Sequence, residues 1–214
     1  MEWTVLVAKL AEGMWVSVEI FVLTLLFSLP LGLFVAFGRM SKNLLLRNVI
    51  RFYISVMRGT PLILQLMVVY FGPYYIFGMP TPHRFLATII AFVLNYAAYF
   101  AEIYRGGIES MAVGQYEAAK VLGYSKAQTF IKIIFPQVVK RILPAVTNEV
   151  ITLIKDTSLA FAISVSEMFT VAKAIASAQS STIPWIAAGI FYYVFNFIVA
   201  TVMEWIETRM SYFR

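Results

Sequence analysis

Six residues set within apolar stretches carry side chains able to hold a small zwitterion: Asn95, Tyr99, Glu149, Lys155, Asp156 and Ser158. A carboxylate meets an ammonium, an ammonium meets a carboxylate, and amide or hydroxyl groups accept either partner. The same residues form no catalytic signature. The chain has no GxxxxGK[ST] phosphate loop, no GxSxG elbow and no HExxH pair. Binding is the chemistry on offer, and any ATP hydrolysis would need a second protein. With no cysteine, neither a disulfide framework nor a thiolate metal site can form. The one histidine, His83, stands beside Pro80 and Pro82 with no second ligand near it, so no metal site is expected.

The depth of these residues matters more than their number. Asn95 follows Arg84 by about 16 Å of helix, near the middle of a roughly 30 Å hydrocarbon core. If Pro144 opens its helix, Lys155 and Asp156 fall about 17 Å along it, again near mid-depth. A charge there costs about 2.5–3.5 kcal/mol on insertion scales, so two adjacent charges need a reason. Glu149, Thr152 and Asp156 share one helical face, and Asn148, Thr152 and Lys155 an overlapping one. This stripe must face protein or water. It is either an ion-pair network at a subunit interface or, as intramembrane charges are by default, a pathway. Asn95 and Gln65 have the same two readings: a helix–helix hydrogen bond or a substrate contact. Asn95, Tyr99 and Glu102 follow one face of their helix, with Glu102 close to Arg105 at the membrane boundary.

The elements that position these residues are apolar helices. The chain has 214 residues, 61% hydrophobic and 13% charged, too apolar to hide its surface in one soluble core. We expect one all-α membrane domain over residues 1–214. Five segments can each span a bilayer, near 15–37, 61–77, 85–104, 144–165 and 185–206. Basic residues set the orientation. One side holds Arg39, Lys42, Arg47, Arg51, Arg105, Lys120, Lys126, Lys132, Lys140, Arg141, Arg209 and Arg214; the other holds Lys9, Arg84 and Lys173. The richer side is cytoplasmic, which puts the N-terminus outside and the C-terminus inside. Pro30 predicts a kink in the first span. Thr60 as N-cap and Pro61 at the first helical position open the second span, leaving Arg58 at the cytoplasmic rim. Met168–Ser181 reads as an outer, alanine-rich helix flanked by Glu167 and Lys173.

One polar island interrupts this pattern, from Glu117 to Pro136. Gly114 is expected to cap a short helix with Glu117 in its first turn, and Gly123 to stop it in a left-handed conformation. Ser125 and Gln128 have capping-box spacing for a second short helix, running to Pro136. On physical grounds alone the island is equally an interfacial hairpin covering helix ends.

Its spacing, Glu117-Ala118-Ala119, then Gly123, then Ile133 and Pro136, resembles the EAA loop of ATP-binding-cassette importer permeases. Phe135 stands where that family usually has Leu. Arg58-Gly59-Thr60-Pro61-Leu62 with Gln65, the AEIYRGGI run from Ala101 to Ile108, and the KDTSL run from Lys155 to Leu159 resemble its polar amino-acid branch, the histidine/arginine/glutamine type. The resemblance implies a type I importer fold of five transmembrane helices, with short cytoplasmic coupling helices in the loop 110–136. Glu117, Ala118, Ala119 and Gly123 would couple to a separate ATPase subunit, present in two copies and holding ATP and Mg, whereas this chain has no cofactor. A second permease subunit, identical or paralogous, and an external solute-binding protein complete the implied complex. It would sit in a prokaryotic inner membrane and carry polar amino acids, basic or amide, by alternating access, with lipid around it and no nucleic-acid partner. Two other classes remain: an ion-coupled secondary transporter titrating Glu149 or Asp156, and a non-transporting membrane scaffold.

Overall fold

The computed structural model describes residues 2–210, so the basic residue Arg214 lies outside the described residues. The described residues form helices joined by short turns, with no strand among them. In chain order the helices are α1 (Trp3–Arg39), α2 (Leu44–Gly59), α3 (Leu62–Phe77), α4 (Arg84–Glu109), α5 (Val113–Val121), α6 (Lys126–Thr129), α7 (Phe135–Asp156), α8 (Met168–Gln179) and α9 (Ile183–Arg209). A π-helical turn, Phe130–Ile134, joins α6 to α7, and a 3-10 segment, Thr157–Ile163, follows α7.

The bundle is built around α4, which packs most extensively against α1. Phe92, Tyr96 and Phe100 of α4 are fully buried. α1 contributes small buried side chains along this part of its length, Thr24, Ser28 and Gly32. A Cβ added at Gly32 would stand 2.9 Å from the Phe100 Cβ and 3.1 Å from the Ala97 carbonyl oxygen. Close backbone approach through small residues is the usual way for helices to associate where no hydrophobic gradient drives them. Gly107 does the same at the α4–α7 crossing, where a Cβ would collide with Ile142.

Three helices, α1, α4 and α9, are long and apolar enough to cross a membrane on their own. The number reaches five only if two bent pairs each count as one span: α2 with α3, bent by 110°, and the Lys126–Ile163 run with α8, bent by 58°. α9 is the outermost of the long helices, with Ile190, Tyr193, Phe197 and Trp205 exposed, as a lipid-facing helix requires.

Several expected boundaries move. The 15–37 stretch lies within a longer helix that starts at Trp3 and runs through Pro30. The second span does not open on a Thr60 cap. Thr60 closes α2 with φ −124° and ψ 148°, and Pro61 takes the capping position of α3. The residue before a proline is pushed out of the helical region, so the chain must turn there. Pro144 does not open a helix either; it lies inside α7, which starts nine residues earlier at Phe135. The second helix of the polar island likewise does not end at Pro136. Proline lacks an N–H and its ring crowds the carbonyl four residues back, and a π turn just before it removes that conflict. Lys126 to Ile163 is therefore one uninterrupted helical run.

Candidate functional site

The end of the bundle holding the α5–α6 elbow collects the basic side chains. The elbow is specified by its own sequence. Ser125 accepts a hydrogen bond from the Gln128 N–H at 3.2 Å while the Gln128 side chain accepts from the Ser125 N–H at 2.9 Å. Gly123 adopts φ +80°, and the Tyr124 N–H reaches back to the Ala119 carbonyl at 3.0 Å, closing the helix end. The start differs from expectation. α5 begins at Val113 after Ala112, so Gly114 lies inside the helix and Glu117 falls beyond its first turn. Glu117, Ala118 and Gly123 are exposed, whereas Ala119 turns inward and is buried. Val121 and Leu122 are 87% and 72% exposed at the tip, an apolar knob on a polar surface. Sequence reading passed over both; their place just ahead of the turn glycine was the available signal. Beside the elbow, the Arg141 guanidinium of α7 donates to the Ser110 carbonyl at the end of α4 at 2.8 Å.

The second constellation lies beside the middle of α4. Asn95 is buried, and its amide donates to the Gln65 side-chain oxygen and to the Met57 carbonyl, both at 3.0 Å. Gln65 in turn donates to the Met57 carbonyl at 2.9 Å and the Thr60 hydroxyl at 2.9 Å. Gln65 and Asn95 thus satisfy the backbone that the α2–α3 corner leaves open and fasten that corner to α4. Here the helix–helix reading of both residues describes the geometry. α2 leaves the basic end, gives the Tyr53 hydroxyl to the Leu94 carbonyl at 2.5 Å, and brings Arg58 over the Tyr99 ring at 5.3 Å. Arg58 thus lies between Tyr99 and Glu102, 3.9 Å from the Glu102 carboxylate.

Asp156 accepts a hydrogen bond from the buried Tyr96 hydroxyl at 2.7 Å. That contact puts Asp156 opposite the middle of α4, although the register that suggested this depth was wrong. α7 ends there because the Thr157 and Ser158 hydroxyls bond the Ile154 and Lys155 carbonyls at 2.8 and 2.7 Å, competing with the helical pattern. Glu149 and Ser158 are half-buried and Lys155 is exposed. Glu149 lies within electrostatic reach of both Arg58 and Asp156. Tyr99, Glu149 and Asp156 are thus brought around one region with Arg58 and Tyr96, which sequence reading left out of the site. Asn95 points away into the corner, and Lys155 projects outward. Among the described residues, no group of three or more His, Asp or Glu side chains gathers to hold a metal.

A helical membrane bundle with a polar seam at mid-depth and an exposed elbow at its basic end has the build of a transport subunit. The chain belongs to the family described as binding-protein-dependent transport system inner membrane components, which it matches over residues 28–212. It is 34% identical over 202 residues to a putative glutamine transport system permease protein of Rickettsia conorii, covering 94% of this chain and 92% of that one. It is 35% identical over 201 residues to the arginine transport system permease protein of Bacillus subtilis, covering 94% and 91%. Among solved structures, an amino acid ABC transporter crystallised with histidines superposes with a TM-score of 0.87 at 33% identity, covering 94% of each chain.

Proposed function

We propose that this chain is the permease subunit of an ATP-driven importer of polar amino acids, basic or amide in side chain. One observation carries the reading: the helical run from Lys126 to Ile163 joins the exposed elbow to the Asp156 seam without a break. A displacement at the elbow is delivered to the seam as a rigid-body motion, which is what coupling to a distant ATPase demands. Glu117, Ala118, Gly123 and the apolar tip at Val121 and Leu122 are the face offered to that ATPase, with the buried Ala119 supporting it from behind. The basic end is cytoplasmic, the N-terminus lies outside, and five spans result when each bent pair crosses once. Two ATPase subunits carrying ATP and Mg, a second permease subunit and an external binding protein complete the machine. Tyr99, Glu149 and Asp156 line the substrate position, with Asn95 and Ser158 shaping it and Lys155 facing the second permease.

The test is reconstitution of the chain with its ATPase and binding protein in liposomes. Uptake of L-glutamine or L-arginine that requires ATP and the binding protein, and survives a protonophore, is the expected result. Uptake that collapses with the protonophore while ATP remains would instead assign an ion-coupled carrier.

A further inference from the structure

A cleft of about 480 Å³ opens at the basic end between α1, α2 and α4. Its charged lining is Arg39, Arg51, Arg58 and Glu102, with Tyr99 at the mid-depth side. The guanidinium groups outnumber the carboxylate by three to one, and that carboxylate is already engaged elsewhere. Glu102 accepts from Arg105 Nη2 at 2.6 Å and from Arg105 Nε at 3.1 and 3.2 Å. Arg39 and Arg58 form longer ion pairs with Glu102, each at 3.9 Å and without a hydrogen bond. Among the described residues, none of Arg39, Arg51 and Arg58 has a hydrogen-bond acceptor. Each presents a planar fork suited to a carboxylate or phosphate.

The helix carrying two of these arginines is amphipathic in a telling direction. Leu45, Val49, Phe52 and Val56 form its exposed apolar stripe. Arg47, Arg51 and Arg58 follow the opposite face. The apolar stripe suits lipid tails, while Arg51 and Arg58, both exposed, line the cleft. The cleft also connects with the seam: Arg58 stacks on Tyr99 at 5.3 Å, the Tyr99 and Tyr96 rings are 6.3 Å apart, and Tyr96 holds Asp156.

We infer that this cleft is a release site which takes the carboxylate of the transported amino acid from the mid-depth seam and passes it to the cytoplasm. The inference rests on the importer reading above and names the group recognised on the way out. Arg58 meets the carboxylate first. Arg51 and Arg39 receive it nearer the mouth. Because the contact is with a group common to all amino acids, the cleft sets throughput and leaves side-chain choice to the seam.

The experiment uses the reconstituted complex with binding protein, comparing wild type with Arg51→Gln, an exposed position outside the seam. Internal L-arginine at millimolar concentration should slow wild-type ATP-driven uptake, and internal agmatine, the same molecule without its carboxylate, should not. In Arg51→Gln the maximal uptake rate should fall at least about fivefold. The concentration of loaded binding protein giving half-maximal rate should stay fixed, inhibition by internal L-arginine should disappear, and Arg51→Lys should restore part of each. Equal behaviour of wild type and Arg51→Gln, or equal inhibition by agmatine, overturns the release site while leaving the importer intact. A defect seen only in vesicles rich in phosphatidylglycerol, and absent from phosphatidylcholine vesicles, overturns it in favour of a lipid phosphate. A wild-type complex without ATP-driven uptake overturns the importer reading and the release site together.

Discussion

Between Ser125 and Thr129 every side-chain hydrogen bond closes within four residues of sequence. Around α4 the bonds from Tyr53, Asn95 and Tyr96 join residues 30 to 60 positions apart. The elbow is thus a part that holds its own shape and meets the bundle lightly. The seam exists only when four helices are in place. A coupling element that keeps its form while it moves, beside a chamber that exists only by assembly, is a sensible division for a two-state machine.

Substitutions can break this contrast. The largest effect is expected from Glu117→Lys. Reversing a charge on the exposed docking face should lower ATP-driven uptake by more than about tenfold, with the thermal unfolding midpoint of the purified chain unchanged. A large loss of stability instead would mean that the elbow is structurally tied to the core. Asn95→Leu removes the donor that fastens the α2–α3 corner, leaving the Gln65 side-chain oxygen without that partner and the Met57 carbonyl with Gln65 as its remaining donor. It should cost about 1–3 kcal/mol, visible as an earlier unfolding transition in detergent.

Tyr96→Phe deletes the hydroxyl bonded to Asp156 and should cost about 0.5–1.5 kcal/mol. A double-mutant cycle with Asp156→Asn should give a coupling energy of similar size, whereas additivity would mean the two groups act separately. The smallest change is Ser125→Ala. It loses one cap worth about 1 kcal/mol, should increase amide exchange between residues 123 and 130, and should leave exchange in α4 untouched.

The same division decides what the sequence revealed. The capping box at Ser125 and Gln128 and the left-handed turn at Gly123 depend on nearest neighbours, and both were legible. So was the helix beginning at Met168, which Glu167 caps through the Phe169 and Thr170 N–H groups at 2.7 Å. Pro144 and Pro136 misled because proline in water-soluble chains usually marks a helix end. Here tertiary packing and a π turn carry the helix past both. The approach of Tyr96 to Asp156 left no local trace, since nothing within α4 distinguishes Tyr96 from an ordinary core aromatic. The stacking of Arg58 on Tyr99 was equally hidden, because nothing in the α2 sequence says which helix its polar face meets.

The unbroken helix through Pro136 and Pro144 fixes more than a distance; it fixes an angular phase. Slipping a single alanine in after Val139 would spin everything beyond it by about 100°, turning Asp156 away from its tyrosine while the elbow stays put. Four alanines would bring the phase back to within about 40° at the expense of one added turn of length. Transport lost with one inserted residue and partly regained with four would be the torsional signature of a drive shaft.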